Sequence, residues 1–111
     1  MESLKKNRAF RAVYGRGIKA ANHLLIVYAL PNASEKNRLG VSVSRKVGKA
    51  VVRNRIKRLI KENARLLETD MKRGYDIVVV VRPAGGKTDK ENAFRLFGHA
   101  LRYLLLKQKM L

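Results

Sequence analysis

Not one of the chain's 111 residues is cysteine. This excludes disulfide bridges, cysteine-ligated zinc and thiol catalysis together, and it fits a reducing compartment. Tryptophan is also absent, and the two prolines, Pro31 and Pro83, each follow a candidate strand. No apolar run approaches the roughly 18 to 20 residues needed to span a bilayer. The opening MESLKKNRAFR has no apolar h-region or cleavage site, so the expectation is a cytoplasmic protein without a membrane partner. Acids are scarce as well. The eight (Glu2, Glu35, Glu62, Glu68, Asp70, Asp76, Asp89 and Glu91) are scattered, whereas a two-metal nuclease needs them clustered. His23 and His99 are isolated and do not suggest a metal pair. No catalytic, metal-ligating or small-molecule constellation is therefore expected on this chain.

What is present in excess is positive charge. Lysine and arginine number 26, giving a formal net charge of +18 and a pI near 11.1. The hydrophobic fraction of 46% is that of a folded protein, and the length suits one domain, residues 1–111, with one core. Such a charge opposes compaction by self-repulsion and makes sense when the working state is bound to phosphates. A membrane surface is the rival polyanion, but the most basic face of the chain lacks the Trp or Phe anchors of an interfacial helix.

The charge concentrates in RKVGKAVVRNRIKRLIKENAR, Arg45 to Arg65, where nine cations face one acid, Glu62. On a helix of about 100° per residue, Val52, Ile56, Leu59, Ile60 and Leu67 share one face. Asn54, Lys57, Arg58, Lys61 and Arg65 gather on the other, with Arg53 and Arg55 at the boundary. A merely solvated helix would interleave acids as i,i+4 partners. Their absence favours a binding face on a helix placed at about Lys49 to Leu67.

The remaining elements follow from periodicity. Phe10, Val13 and Tyr14 have i, i+3, i+4 spacing on a short helix of about Lys6 to Tyr14, closed by Gly15 and Gly17. The spacing favours a core role for this stripe, with stacking of exposed rings on unpaired bases as the other reading. HLLIVYAL, His23 to Leu30, reads as a strand closed by Pro31. In Arg38 to Ser44, Leu39, Val41 and Val43 alternate with Gly40, Ser42 and Ser44, a strand with one packed face and one open face of small residues. YDIVVVVR, Tyr75 to Arg82, is a strand buried on both faces. Thr88 and Glu91 have capping-box spacing at the start of a last helix of about Asp89 to Lys107. The fold class is α+β: a single-domain two-layer sandwich of order α-β-β-β-α-β-α. Gly86, Lys87 and Thr88 invite a phosphate-loop reading, but Val81 stands where that motif needs its first glycine.

RLGVSVSRKVGKAVVRNRIKRLIK, Arg38 to Lys61, closely resembles the signature of the bacterial ribonuclease P protein component, including its RNR element at Arg53, Asn54 and Arg55. The likeness extends to LKKNRAFRAVYGRG, LLIVYAL and GYDIVVVVRP. The resemblance implies a ribonucleoprotein that removes the 5′ leader of precursor transfer RNA. Hydrolysis would be carried out by the catalytic RNA subunit with Mg2+, and the protein would raise affinity for substrate and metal. It also implies a leader-binding cleft lined by Phe10, Tyr14, Tyr28, Ser42 and Lys46. Tyr14 stands where many members have Phe, which keeps the stacking surface. A helix would dock on the catalytic RNA through Lys49, Arg53, Asn54, Arg55, Lys57, Arg58 and Lys61. The family's fold carries a left-handed crossover through the basic helix, where general physics favours the right-handed form in ~98% of cases.

Two other classes fit the charge and size alone: a structural RNA-binding protein of the ribosomal type, and a nuclease that acts without RNA. Only the Arg38 to Lys61 match separates the first reading from them.

Overall fold

In the computed structural model, which describes residues 1–111, the strand YDIVVVV sits at the centre of the sheet. The elements in order are β1 (Glu2–Ser3), α1 (Asn7–Arg16), β2 (Ile18–Ala21), β3 (Leu25–Pro31), β4 (Arg38–Val43), α2 (Ala50–Leu67), β5 (Tyr75–Val81) and α3 (Lys90–Lys107). Short 3-10 turns follow α2 and β5. The sheet order is β1-β4-β5-β3-β2. β4 runs parallel to β5, with Leu39 opposite Ile77 and Val41 opposite Val79, and β3 runs antiparallel to β5 on its other side. α2 is thus the crossover between adjacent parallel strands, the connection such a pair requires.

The two faces of β5 bury different clusters. Ile77, Val79 and Val81 join Leu25, Val27 and Ala29 of β3 in the main core, which α2 and α3 close with Ile56, Ile60, Phe97, Leu101 and Leu104. Val78, on the opposite face, packs with Leu4 and with Val13 of α1. The period-2 alternation of a strand carries both clusters. β5 is therefore covered on both sides, as its unbroken run of β-branched residues implies, and α1 is the element that covers the second side.

Several local expectations change. β1 was not foreseen. Two residues carry too little pattern to read, and the pairing of Glu2 with Arg38 and Ser3 with Leu39 exists only because β4 offers a parallel edge. α1 runs through Gly15 to Arg16 and ends at Gly17, where a Cβ would lie 2.6 Å from the Val13 carbonyl. The Thr88 and Glu91 capping box does not form. Asp89 is the N-cap and accepts a hydrogen bond from the Asn92 amide at 3.0 Å, while the Thr88 hydroxyl turns back to the Gly85 carbonyl. An Asp one residue nearer the helix fits the cap position better than the threonine. Gly86 belongs to packing, since a Cβ there would strike the Val47 carbonyl just before α2.

The crossing of α2 on α3 depends on a buried polar residue. Asn63 donates from Nδ2 to the carbonyls of Leu59 and Phe94, at 3.0 and 3.1 Å, and its Oδ1 occupies the space beside Gly98. At the far end of α3, Gln108 donates to the carbonyls of Ile18 and Val27, both at 2.9 Å, and ties the helix to β2 and β3.

Candidate nucleic-acid interface

α2 presents its two faces much as the helical wheel arranges them. Ile56, Ile60, Asn63 and Ala64 are buried, while Asn54, Arg58, Lys61 and Arg65 are exposed and Arg53, Arg55 and Lys57 are half-buried. The exposed side faces the N-terminal edge of the sheet across a groove of about 490 Å³, lined by Asn54, Lys57, Arg58, Lys61 and Arg65 opposite Ser3 and Leu39. Only Arg65 has an acidic partner. Glu62 accepts from its Nε and Nη2, which holds the Glu62 carboxyl below the usual carboxylate range and raises Arg65 correspondingly. No carboxylate lies within 4.0 Å of Lys49, Arg53, Arg55, Lys57, Arg58 or Lys61. Their mutual repulsion is a cost that a polyanion relieves. The Nε of Arg55 is buried and has no acceptor within the protein. Lys49 is exposed as the N-cap of α2, and it does not line the groove, nor do Arg53 and Arg55.

A second cavity of about 490 Å³ opens between α1 and β4. Phe10 and Tyr14 line one wall and Ser42 the other, and Lys57 reaches in from α2. Lys57 therefore borders both cavities. The rings form a chain: Phe10 lies 6.3 Å from Tyr14, and Tyr14 meets Tyr28 edge-on at 5.0 Å and 76°. Tyr28 is half-buried against Tyr14 and does not itself line the cavity. Lys46 sits exposed on the turn after β4 and does not line the cavity.

The helical stripe Phe10, Val13, Tyr14 is not the uniform core segment that its spacing favours. Val13 is fully buried, Phe10 is half-buried, and Tyr14 is 40% exposed. The cause is the narrowness of the cluster under α1, which takes one side chain at the depth of Val13 and leaves the rings at its margin. Phe10 nevertheless leans on the sheet, and a Cβ on Gly40 would lie 2.4 Å from its ring. The small-residue face of β4 is thus filled at Gly40 by the protein's own Phe10 and left open at Ser42. Asn7 and Arg11 also line this cavity and were not singled out from the sequence. The signal was available, because 7, 10, 11 and 14 are one i, i+3, i+4, i+7 stripe.

Known proteins share both sequence and geometry with this chain. A sequence model of the family described as Ribonuclease P matches residues 1–105. The ribonuclease P protein component of Clostridium botulinum strain 657 is 55% identical over 87 residues, 78% of each chain. That of Alkaliphilus metalliredigens is 46% identical over 108 residues, covering 97% of this chain and 94% of the relative. The ribonuclease P protein structure from Staphylococcus aureus superposes with a TM-score of 0.88 at 32% identity, covering 99% and 97% of the two chains. With a matching family model over nearly the whole sequence, close relatives of the same length and the same fold, the chain belongs to the bacterial ribonuclease P protein family.

Proposed function

We propose that this chain is the protein subunit of a cytoplasmic ribonuclease P, and that it divides its work between two surfaces. The outer face of α2, with Lys49, Arg53, Asn54, Arg55, Lys57, Arg58 and Lys61, docks on the catalytic RNA. The cavity between α1 and β4 takes the single-stranded 5′ leader of precursor transfer RNA, with Phe10 and Tyr14 stacking on unpaired bases, Tyr28 backing them and Ser42 and Lys46 flanking the strand. The observation that carries this reading is Lys57, which borders a ring-lined cavity on one side and a cation-lined groove on the other.

The chemistry of the linings suits holding RNA. Aromatic faces bind bases with little sequence preference, at roughly 1 to 3 kcal/mol each, which suits a leader that differs from transcript to transcript. Cations fixed on a helix release phosphate counterions, and their contribution falls with salt. Hydrolysis is assigned to the RNA subunit, with the Mg2+ that the family implies. The residues here do not suit a magnesium cage: the carboxylates beside the α2 groove, Glu2 and Glu62, are paired with Lys36 and Arg65. Substrate and metal affinity are then raised indirectly, by holding precursor and catalytic RNA together.

The test is cleavage of labelled precursor transfer RNA at low magnesium, with the cognate catalytic RNA, the chain, or both. Stimulation only in the mixture is expected. Cleavage by the chain alone would overturn the reading, and so would unstimulated cleavage in the mixture.

A further inference from the structure

α1 has a second flank that the proposed leader cavity does not use. Asn7, Phe10, Arg11 and Tyr14 look toward β4, whereas Arg8, Ala12 and Arg16 form an i, i+4, i+8 stripe on the other side of the line buried at Val13. That stripe borders a separate groove of about 660 Å³, closed on its far side by the end of β3 and by Arg38. Lys5 and Lys6 stand at its mouth. None of Lys5, Lys6, Arg8 or Arg16 has a carboxylate within 4.0 Å.

The floor of this groove is built more carefully than a surface scatter of cations. Asp76 is 5% exposed and accepts from Nε and Nη2 of Arg38, at 2.7 and 2.6 Å, and from Asn32 Nδ2 at 2.9 Å. That fork raises the Arg38 pKa further above its ordinary value, through the Asp76 hydrogen bonds first. The carboxylate is fully engaged, so the one acid in the groove is neutralised where it lies. Arg38 keeps Nη1 free and its side chain 41% exposed. A guanidinium held this way has already lost the rotamer freedom that a contact would otherwise cost, and the Nη1 side that Asp76 does not engage is left to donate to a phosphate.

We propose that this groove is a second RNA site, which takes phosphodiester backbone without reading bases, with Arg38 as its fixed contact and Asp76 as the residue that positions it. The inference extends the RNA-binding reading above. α1 then lies between two strands or two stretches of one strand, with rings on one flank and cations on the other. The groove carries no ring, so bases find no platform there. Its apolar parts are Leu4, Leu30, Pro31 and three alanines, with no aromatic side chain to anchor in a bilayer.

The experiment is a titration of the full chain against fluorescent polyuridylate over a range of KCl concentrations. Arg8→Gln combined with Arg16→Gln is expected to lower the salt slope by about 1.4, two contacts at roughly 0.7 each for a single strand. Affinity falls with it, while the thermal midpoint is unchanged because neither side chain has a protein partner. Arg38→Lys keeps the charge and loses the fork, so it weakens binding with the slope retained. Adding Phe10→Ala to the double variant gives additive losses, as separate sites do. An unchanged slope and affinity in the double variant would overturn the proposal. Strong non-additivity with Phe10→Ala would merge the groove with the leader cavity and overturn it equally. So would binding to phosphatidylglycerol vesicles that depends on Arg8 and Arg16 while polyuridylate binding does not. Because polyuridylate binding involves no cleavage, failure of the wild-type chain to stimulate the catalytic RNA would defeat the functional reading alone.

Discussion

The outer face of α2 and the cavity beside α1 lie against each other, share Lys57, and are built in opposite ways. The α2 face comes from one helix, and its cations are fixed by the helical period alone. The cavity is assembled from three elements: Phe10 and Tyr14 from α1, Ser42 from β4 and Lys57 from α2, with Tyr28 of β3 behind Tyr14 and Gly40 of β4 behind Phe10. In the proposed roles, one surface would work through charge, which acts at a distance and tolerates small displacements. The other would work through ring contact, which loses about a quarter to a half of its energy over a gap of roughly 0.5–1 Å. Damage to the fold should therefore spare charge-driven docking longer than leader recognition.

The largest effect comes from opening the main core on which α2 rests. Ile60 is fully buried between α2 and the sheet, and Ile60→Ala should cost about 2 to 5 kcal/mol by lost transfer energy and cavity formation. Urea denaturation measures it, and leader recognition should fail at lower denaturant than binding to the catalytic RNA. Coincident loss would mean that the two surfaces are equally tolerant.

Next is a change confined to the cavity. In Gly40→Val the new side chain occupies the place of the Phe10 ring. Discrimination between precursor and mature transfer RNA should fall roughly 5- to 150-fold, the worth of one stacked base. Affinity for the catalytic RNA should hold. A parallel loss of both would show that Phe10 serves the scaffold rather than the leader.

Arg58→Ala is the converse. It should weaken assembly with the catalytic RNA and lower the salt slope by about 0.7 to 0.9, one phosphate contact, leaving precursor discrimination intact. An unchanged slope removes Arg58 from the phosphate contacts.

The smallest effect concerns Glu62, the one acid on the α2 face. Its pKa is lowered by Arg65. A lowered carboxyl stabilises the fold above its unfolded value, and this contribution disappears as pH falls through the lower, folded value. Glu62→Gln should therefore flatten stability slightly on the acid side of the carboxylate range. It should also free Arg65 and steepen the salt dependence of RNA binding. A shallower slope would count against Arg65 as a latent contact.

The basic helix was legible because its information is local. Val52, Ile56, Leu59 and Ile60 fall on one side and Asn54, Arg58 and Lys61 on the other in any α-helix, whatever it packs against. The same holds for β5, where seven residues with hardly a polar one require cover on both faces. The cavity was only half legible. Its residue types could be named, but Val13 and Tyr14 are adjacent and both apolar in pattern, and nothing in their spacing says which is buried. The capping of α3 by Asp89 rather than Thr88 turned on a similar choice between neighbours.

Sequence by itself settled the single α+β domain, the place and two-faced pattern of the cationic helix, and the family, because charge, periodicity and an ordered signature are properties of the chain as written. Tertiary structure decided which rings face outward, that Gly40 makes room for Phe10, that Glu2 and Ser3 add an edge strand, and that Asp76 holds Arg38. Each of these depends on contacts between segments distant in sequence. Their distances are set by how the layers pack, and no local pattern encodes that.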